Sequence, residues 1–335
     1  MKIFTWGLDA AIVVILAGAI VTHFWGESGQ MHLERYSQSS QITLEDGGEA
    51  QLPFQLRLEK FSIDYYPGSE MPMDYRSEVT VLPDGEKRTI SMNHILRWKG
   101  YRFLQADYDP DLQGSILAVS HDPWGIGITY AGYILLLVSM IGFFFEKGTG
   151  FRAVARRFAD VPRWAKVTLT VAGALLLAGC FWMICRRLLF QPLMPVLRSP
   201  LLWIHVAGMI ICYSIFALVT VNGIAGLVAK RRETKDLLRD VSLTFLYPAV
   251  FLMAFGTFIG AVWANISWGS YWSWDPKETW ALVTLIVYGF ALHGKTIKPL
   301  ERPVVFHIFV ILAFLCVLVT YFGVNYILGG MHSYA

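Results

Sequence analysis

The sequence predicts a mainly α fold, a polytopic membrane helix bundle of about seven spans, with one extracytoplasmic β-rich domain between spans 1 and 2. Three observations carry this. Hydrophobic residues make up 55% of the 335 and charged residues only 16%, less charge than a soluble chain of this length carries. Apolar runs near the ~20 residues needed to cross ~30 Å of hydrocarbon recur along the chain. Between the first two of them, residues 26–124 switch to alternating apolar and polar positions, the period of strands.

The first run, residues 8–25, is just long enough to span. Its Ala17-Gly18-Ala19 has the small-x-small form of a signal-peptidase site, but more apolar residues follow, so residues 1–25 are expected to be an uncleaved anchor. In the β-rich domain, residues 51–66 and 77–91 alternate, and Pro83-Asp84-Gly85-Glu86 reads as a hairpin turn. Residues 98–108 and 115–120 add strand-like runs. About 100 residues suffice for a small core; scaffold and docking surface are both open as its role. His94 and His121 read as surface or capping residues. Further spans are expected at 125–145, 165–185, 201–228, 241–263, 277–294 and 303–326. They set off a basic loop, 146–164, and a C-terminal membrane domain, 165–335.

Charge orients these spans. The net charge of +3 conceals a split, because residues 26–124 carry 9 Lys/Arg against 16 Asp/Glu and the remainder 19 against 9. Loops 146–166, 229–240 and 294–302 hold six, five and three Lys/Arg, fourteen together, against three in 186–199 and one in 264–277. The basic loops are therefore expected on the cytoplasmic side of a bacterial inner membrane, with the N-terminus. The β-rich domain and the C-terminus then face outward. The basic excess is topology and does not suggest nucleic acid. The four cysteines all lie in apolar runs without a Cys-x-x-Cys pair, which disfavours a disulfide framework, a zinc site and thioredoxin-like chemistry.

The most informative stretch is the loop 264–280. Trp268, Trp272, Trp274 and Trp280 fall within 13 residues, in a chain with 12 tryptophans. An aromatic belt needs one or two rings per helix end. Four, spaced by a glycine and two serines, suggest a platform for a flat aromatic ligand. Asp275, Pro276 and Glu278 have the spacing of an N-cap, a first-turn proline and a capping-box carboxylate, so the two acids either start the next helix or serve chemistry.

This loop, followed by Ala281-Leu282-Val283-Thr284 and ending in His293, resembles the "WWD" signature of membrane haem-handling proteins that serve cytochrome c biogenesis. Tyr321-Phe322-Gly323-Val324-Asn325 and Gly330-Met331-His332-Ser333-Tyr334 are similar to the close of the Ccs-type (System II) cytochrome c synthase. Residues 8–145 resemble the last part of its ResB/CcsB partner subunit, fused in frame to the CcsA-like part. The resemblance implies haem b as bound substrate, with His205 and His332 as the outer axial ligands. Both fall at the level of the Trp loop, His205 about 8 Å below the outer end of its helix at ~1.5 Å per residue. It implies that the haem ring lies against Trp268, Trp272, Trp274 and Trp280, with Asp275 beside it. It also implies attachment to the Cys-x-x-Cys-His peptide of an apocytochrome c, the peptide's own thiols being the nucleophiles, so that no side chain of this chain is one. Thiol-reducing proteins and a further ResB-like subunit are the implied partners.

His293 lies about 25 Å from the Trp loop, on the cytoplasmic side. The resemblance makes it a ligand of an inner haem, and macrodipole stabilisation of a helix end is the bland alternative. Its second ligand departs from the family pattern, since the family's other intramembrane histidine lies on a helix ahead of the one where this chain begins. His307 is at the matching depth. A ligand from another polypeptide and an incomplete inner site are the alternatives. Of the rival functions, a haem exporter or carrier feeding a separate lyase shares the same loop. A cytochrome b-like electron carrier predicts paired histidines on facing spans at two levels, which the sequence does not provide cleanly.

Overall fold

The computed structural model describes residues 2–159, 161–190, 193–294 and 296–329. Helix α1 (Ile3–Trp25) leads into one eight-stranded antiparallel sheet, from which the chain returns through α2 (Gly125–Phe145). The strands are β1 (Glu27–Glu34), β2 (Gln38–Leu44), β3 (Glu49–Tyr65), β4 (Pro72–Leu82), β5 (Glu86–Ser91), β6 (Leu96–Trp98), β7 (Tyr101–Tyr108) and β8 (Gly114–His121). Their order is β5-β4-β3-β2-β1-β8-β7-β6, so the entering and leaving strands pair along their whole length, Glu27 with His121 through Glu34 with Gly114.

The sheet rolls around one face. Phe54 of β3 meets Phe103 of β7, four places away in the order, at 6.0 Å between centroids, and Met31, Leu33, Leu56, Leu58, Val81, Ile90 and Leu117 are fully buried beneath it. The hairpin at Pro83–Gly85 forms as the sequence predicts, with Val81 opposite Glu86. β1 and β2 are additions to the prediction: their polar alternate positions face water, and only Met31, Leu33 and Ile42 point inward strongly enough to fix the register.

Because β1 and β8 are neighbours, α1 and α2 form an antiparallel pair, and a carboxylate clips it at each end. Glu146, just past α2, accepts hydrogen bonds from Phe4 N (2.9 Å), Thr5 N (3.1 Å) and Thr5 Oγ (2.7 Å), which satisfies donors at the start of α1. At the other end Asp122 accepts from Gly125 N (2.7 Å) and Thr22 Oγ (2.6 Å). Close approach between the clips relies on small residues; a Cβ on Gly18 would collide with Thr129 and one on Gly142 with Phe4. The small triplet around Gly18 is thus a helix contact.

The remaining helices are α3 (Gly150–Phe158), α4 (Arg163–Phe190), α5 (Pro200–Val228), α6 (Arg232–Trp268), α7 (Pro276–Leu292) and α8 (Pro303–Leu318), the last continuing as a π-helical segment, Val319–Leu328. Six helices among the described residues are long and apolar enough to cross a membrane, making this a multi-pass membrane protein. The seventh expected span, α7, is a 17-residue helix packed between α6 and α8, where fully buried Tyr288 stacks on Phe216 of α5 at 3.7 Å. Helix α6, at 37 residues, absorbs most of the loop expected at 229–240, because the Arg/Glu/Lys-rich start of that segment is itself a good helix former.

Helices α5, α6 and α8 pack through glycines. A Cβ on Gly256 would lie 2.8 Å from Met209 Sδ and one on Gly260 2.7 Å from His205 Nδ1. A Cβ on Gly226 would overlap the His307 ring, which is 0% exposed. Gly226→Ala is therefore expected to lower stability by about 1–3 kcal/mol through overpacking, seen as earlier thermal unfolding in detergent. In a His307→Ala background the same substitution is expected to cost less; an equal cost in both would show that the ring is not what the glycine accommodates.

Candidate functional site

The Trp-rich loop is short and hydrogen-bonded at both ends. Helix α6 stops at Trp268 because Gly269 takes a left-handed conformation (φ 83°), its N–H reaching Asn265 O at 3.1 Å. Asn265 Nδ2 donates back to Gly269 O at 3.2 Å. At the far end Asp275 caps α7, accepting from Lys277 N at 2.9 Å, with Pro276 in the first turn as predicted. Glu278 does not complete a capping box on the cap residue. It accepts from Ser273 N at 2.9 Å and Ser273 Oγ at 3.3 Å, two residues earlier. Trp274, at φ 57°, makes the turn that brings Ser273 within reach. A bulky residue in that region is strained, and such strain persists only where the surroundings enforce it.

The four predicted platform rings divide into separate settings. Trp268 packs edge-to-face on Trp263, 4.8 Å between centroids, beside Val196 and Leu202. Trp272 and Trp274 meet at 86° and 5.9 Å, and Trp274 is 71% exposed. The Trp272 indole N–H is buried without a hydrogen-bond partner among the described residues. Trp280 is half-buried in the second turn of α7. Trp263, 2% exposed and unremarked in the sequence reading, is the inner wall of this cluster; its signal was only its place five residues before Trp268.

His205 sits in the second turn of α5, which starts at Pro200 as expected. Its Nδ1 lies 2.6 Å from Gly256 O. A carbonyl oxygen only accepts, so Nδ1 carries the proton and Nε2 the lone pair, the arrangement of a metal-ligating imidazole whose other nitrogen is fixed by main chain. His293, exposed at the end of α7, repeats it, with Nδ1 2.8 Å from Gly289 O. His307 has the reverse orientation: Nε2 donates to Lys235 O at 3.1 Å, and buried Nδ1 has no partner among the described residues. No ring contact or hydrogen bond joins His293 to His307. The His307 ring is enclosed against Gly226 with its Nε2 engaged on Lys235 O. His332 lies outside the described residues. Among those residues no cluster of three or more His, Cys, Asp or Glu could hold a metal ion.

The sheet holds the loop from above, by residues the sequence reading did not single out. Arg102 of β7, 8% exposed, donates from Nη1 to Asn265 Oδ1 (2.7 Å) and from Nη2 to Ser120 Oγ (2.7 Å). Burial pulls its guanidinium below the ordinary arginine value, with the Tyr271 and Tyr130 hydroxyls opposing that. Tyr271 of the loop packs edge-on to Tyr130 and Tyr133 of α2, and burial raises its hydroxyl far above the usual tyrosine range. Ser267 Oγ donates to Asn93 Oδ1 (3.1 Å), whose Nδ2 donates to Pro195 O (3.1 Å) in the loop before α5. Asn265 and Arg102 were legible only as polar residues inside apolar runs.

Two family models divide the chain between them. The ResB-like family matches residues 9–117, and Cytochrome C assembly protein matches residues 128–332. The chain belongs to the Cytochrome C assembly protein family. A ResB-like region therefore precedes the cytochrome c assembly region in one polypeptide, and the sheet and the Trp loop come one from each. The chain is 33% identical over 178 residues to Protein NrfI of Wolinella succinogenes, 49% of this chain and 20% of that protein. It is 36% identical over 173 residues to the cytochrome c biogenesis protein CcsA of Guillardia theta, 43% of this chain and 56% of that one. With CcsA of Chlamydomonas reinhardtii the identity is 40% over 155 residues, 43% of each. The match thus spans from a fifth to just over half the length of these relatives.

Two substitutions separate scaffolding from chemistry. Asn265→Ala leaves the Arg102 guanidinium buried with a lost partner, and is expected to cost about 1–3 kcal/mol and to alter tryptophan emission as the loop loosens; unchanged emission would disconnect Arg102 from the loop. Asp275→Ala is expected to cost about 1 kcal/mol as a lost cap, and Asp275→Asn much less. If Asp275→Asn keeps wild-type thermal stability but loses a haem signal, the carboxylate does more than cap α7.

Proposed function

We propose that this protein acts in cytochrome c biogenesis, holding haem b at the membrane face that carries the sheet and attaching it to the Cys-x-x-Cys-His peptide of an apocytochrome c. The observation that supports this best is the orientation of His205. Its Nδ1 proton is fixed on Gly256 O, its Nε2 bears the lone pair, and the Trp263–Trp268 pair closes the same helix, α6, toward the loop. This fits haem on the donor set, since an imidazole so held presents Nε2 as the nitrogen that would serve as axial ligand. His332 is the proposed second axial ligand. Trp272 and Trp274 supply ring surface at the exposed end of the loop, and Trp268 and Trp280 its flanks.

Haem would supply two vinyl groups, each taking up one cysteine S–H across its double bond, sulfur on one carbon and proton on the other, with no net oxidation. The chain's own residues do the rest. His205 and His332 fix the position and tilt of the iron, and the loop, braced by Arg102 and Glu278, keeps the ring edge toward the peptide. The peptide histidine replaces one protein imidazole, which releases the product. The basic loops belong on the cytoplasmic side of a bacterial inner membrane by their Lys/Arg content. His293, oriented like His205 at the opposite end of the bundle, is proposed as one ligand of an inner haem, its partner coming from a further ResB-like portion or subunit.

The test is a reduced-minus-oxidised visible spectrum of the protein purified in detergent, beside His205→Ala and His332→Ala, each co-expressed with an apocytochrome c. Both variants are expected to lose or shift the haem bands and to yield less holocytochrome c. Unchanged spectra and unchanged maturation would defeat the outer-site reading. Haem bound by the wild type without any maturation would favour a carrier that delivers to a separate lyase.

A further inference from the structure

A half-open cleft of about 230 Å³ lies where the sheet meets the first turns of α2, walled by Arg97, Gly100, Arg102, Pro123, Ile126 and Tyr130. Its charge is unbalanced. Arg102 is 8% exposed, both its hydrogen-bonded groups are neutral, and no carboxylate lies within ion-pairing distance of it among the described residues. Its Nε has no partner there either. Arg97 is exposed and makes no hydrogen bond or ion pair among the described residues. The one acid in the wall, Asp122, has both oxygens engaged, with Gly125 N and with Thr22 Oγ. Asp122 attracts Arg102 from across the wall without pairing with it directly, and the two arginines outnumber this one acid. A buried guanidinium without a direct ion pair is costly, and an anion in the cleft would relieve that cost.

We propose that this cleft binds the phosphate of an anionic phospholipid, held between Arg97 and Arg102 at the mouth of α2. Three observations select a lipid. The cleft stands at the point where α2 enters the membrane, and exposed Trp25 and Trp124 flank it at the ends of the helix pair, marking headgroup level. Below it α2 presents exposed Ile134, Leu137, Val138 and Ile141, a surface for acyl chains continuous with the headgroup site. The volume is below the roughly 300–1,000 Å³ of pockets that enclose a drug-sized ligand, which suits a phosphodiester and excludes a buried macrocycle. Guanidinium forks match phosphate oxygens bidentately. Since Arg102 also holds Asn265, a lipid here sets the charge environment of the residue that braces the Trp loop. The assignment does not depend on haem chemistry.

The experiment uses the purified full chain in non-ionic detergent, titrated with short-chain phosphatidylglycerol, short-chain phosphatidylcholine or inorganic phosphate, following the thermal unfolding midpoint. Phosphatidylglycerol is expected to raise the midpoint saturably, with the other two weak at equal concentration. Arg97→Gln is expected to need roughly tenfold more lipid for the same shift, with Arg97→Lys intermediate. Arg88→Gln, a change of the same charge elsewhere on the sheet, is expected to respond like wild type. An equal response to inorganic phosphate would assign the cleft to a free anion and overturn the lipid. So would an unchanged response in Arg97→Gln, an equal loss in Arg88→Gln, or no response in the wild type.

Discussion

The hydrogen bond from Arg102 to Asn265 is the constraint on which the architecture turns. The α1–α2 pair already joins the sheet to the helical bundle, and this bond ties the two again at the Trp loop. With it, the last turn of α6 is fixed to β7, and through Asn265 so is the Gly269 cap that begins the Trp loop. Both partners lie out of solvent, at 8% and 2% exposure, so the bond forms where an unmet polar group is expensive. The loop's conformation is therefore imposed from outside the loop. Asn93, between Ser267 and the segment before α5, imposes it a second time.

Much of this was legible in the sequence, and what was not has a common cause. The spans and the paired sidedness of their loops follow from apolar run length and Lys/Arg counts, and the sheet does dock on the 193–199 loop and the Trp loop together. The Asp275-Pro276 helix start is a local event and was read as such. Glu278 was assigned to the cap by spacing, but the left-handed Trp274 redirects it to Ser273, and no spacing rule reports a strained residue. β1 and β2 were passed over because few of their side chains are apolar; what holds them is pairing between β3 and β8, a long-range fact. Arg102, Asn265 and Trp263 were missed for the same reason. Each makes sense only against a residue far away in sequence.

The histidines show how main-chain partners refine a reading made by depth alone. Depth grouped His205 with His332 and His293 with His307. The hydrogen bonds group His205 with His293 instead, since each donates Nδ1 to a carbonyl on a helix and is left with Nε2 as its base. His307 belongs elsewhere. Its Nε2 caps a carbonyl in the first turn of α6, and Gly226 gives way so that the ring fits between α5 and α8. That geometry is one of packing, with Nδ1 buried and without a hydrogen-bond partner among the described residues.

The end of the bundle away from the sheet then differs in kind from the end that carries it. At the end that carries the sheet, hydrogen bonds cross between the elements, from Arg102 to Asn265, from Ser267 to Asn93 and from Asn93 to Pro195. At the opposite end His293 stands exposed at the end of α7, and among the described residues its ring bonds to a carbonyl of its own helix. A lone imidazole with a correctly placed base but no surrounding wall cannot by itself position a macrocycle, because one axial bond leaves tilt and rotation undetermined. On the proposed function, a second ligand and a packed surface would complete that site, and exposed Ile286, Phe290, Ile308 and Leu312 of α7 and α8 leave apolar area for it. The physical difference between the two histidines is thus exposure, half-buried against exposed, and the nitrogen each engages on a carbonyl is the same.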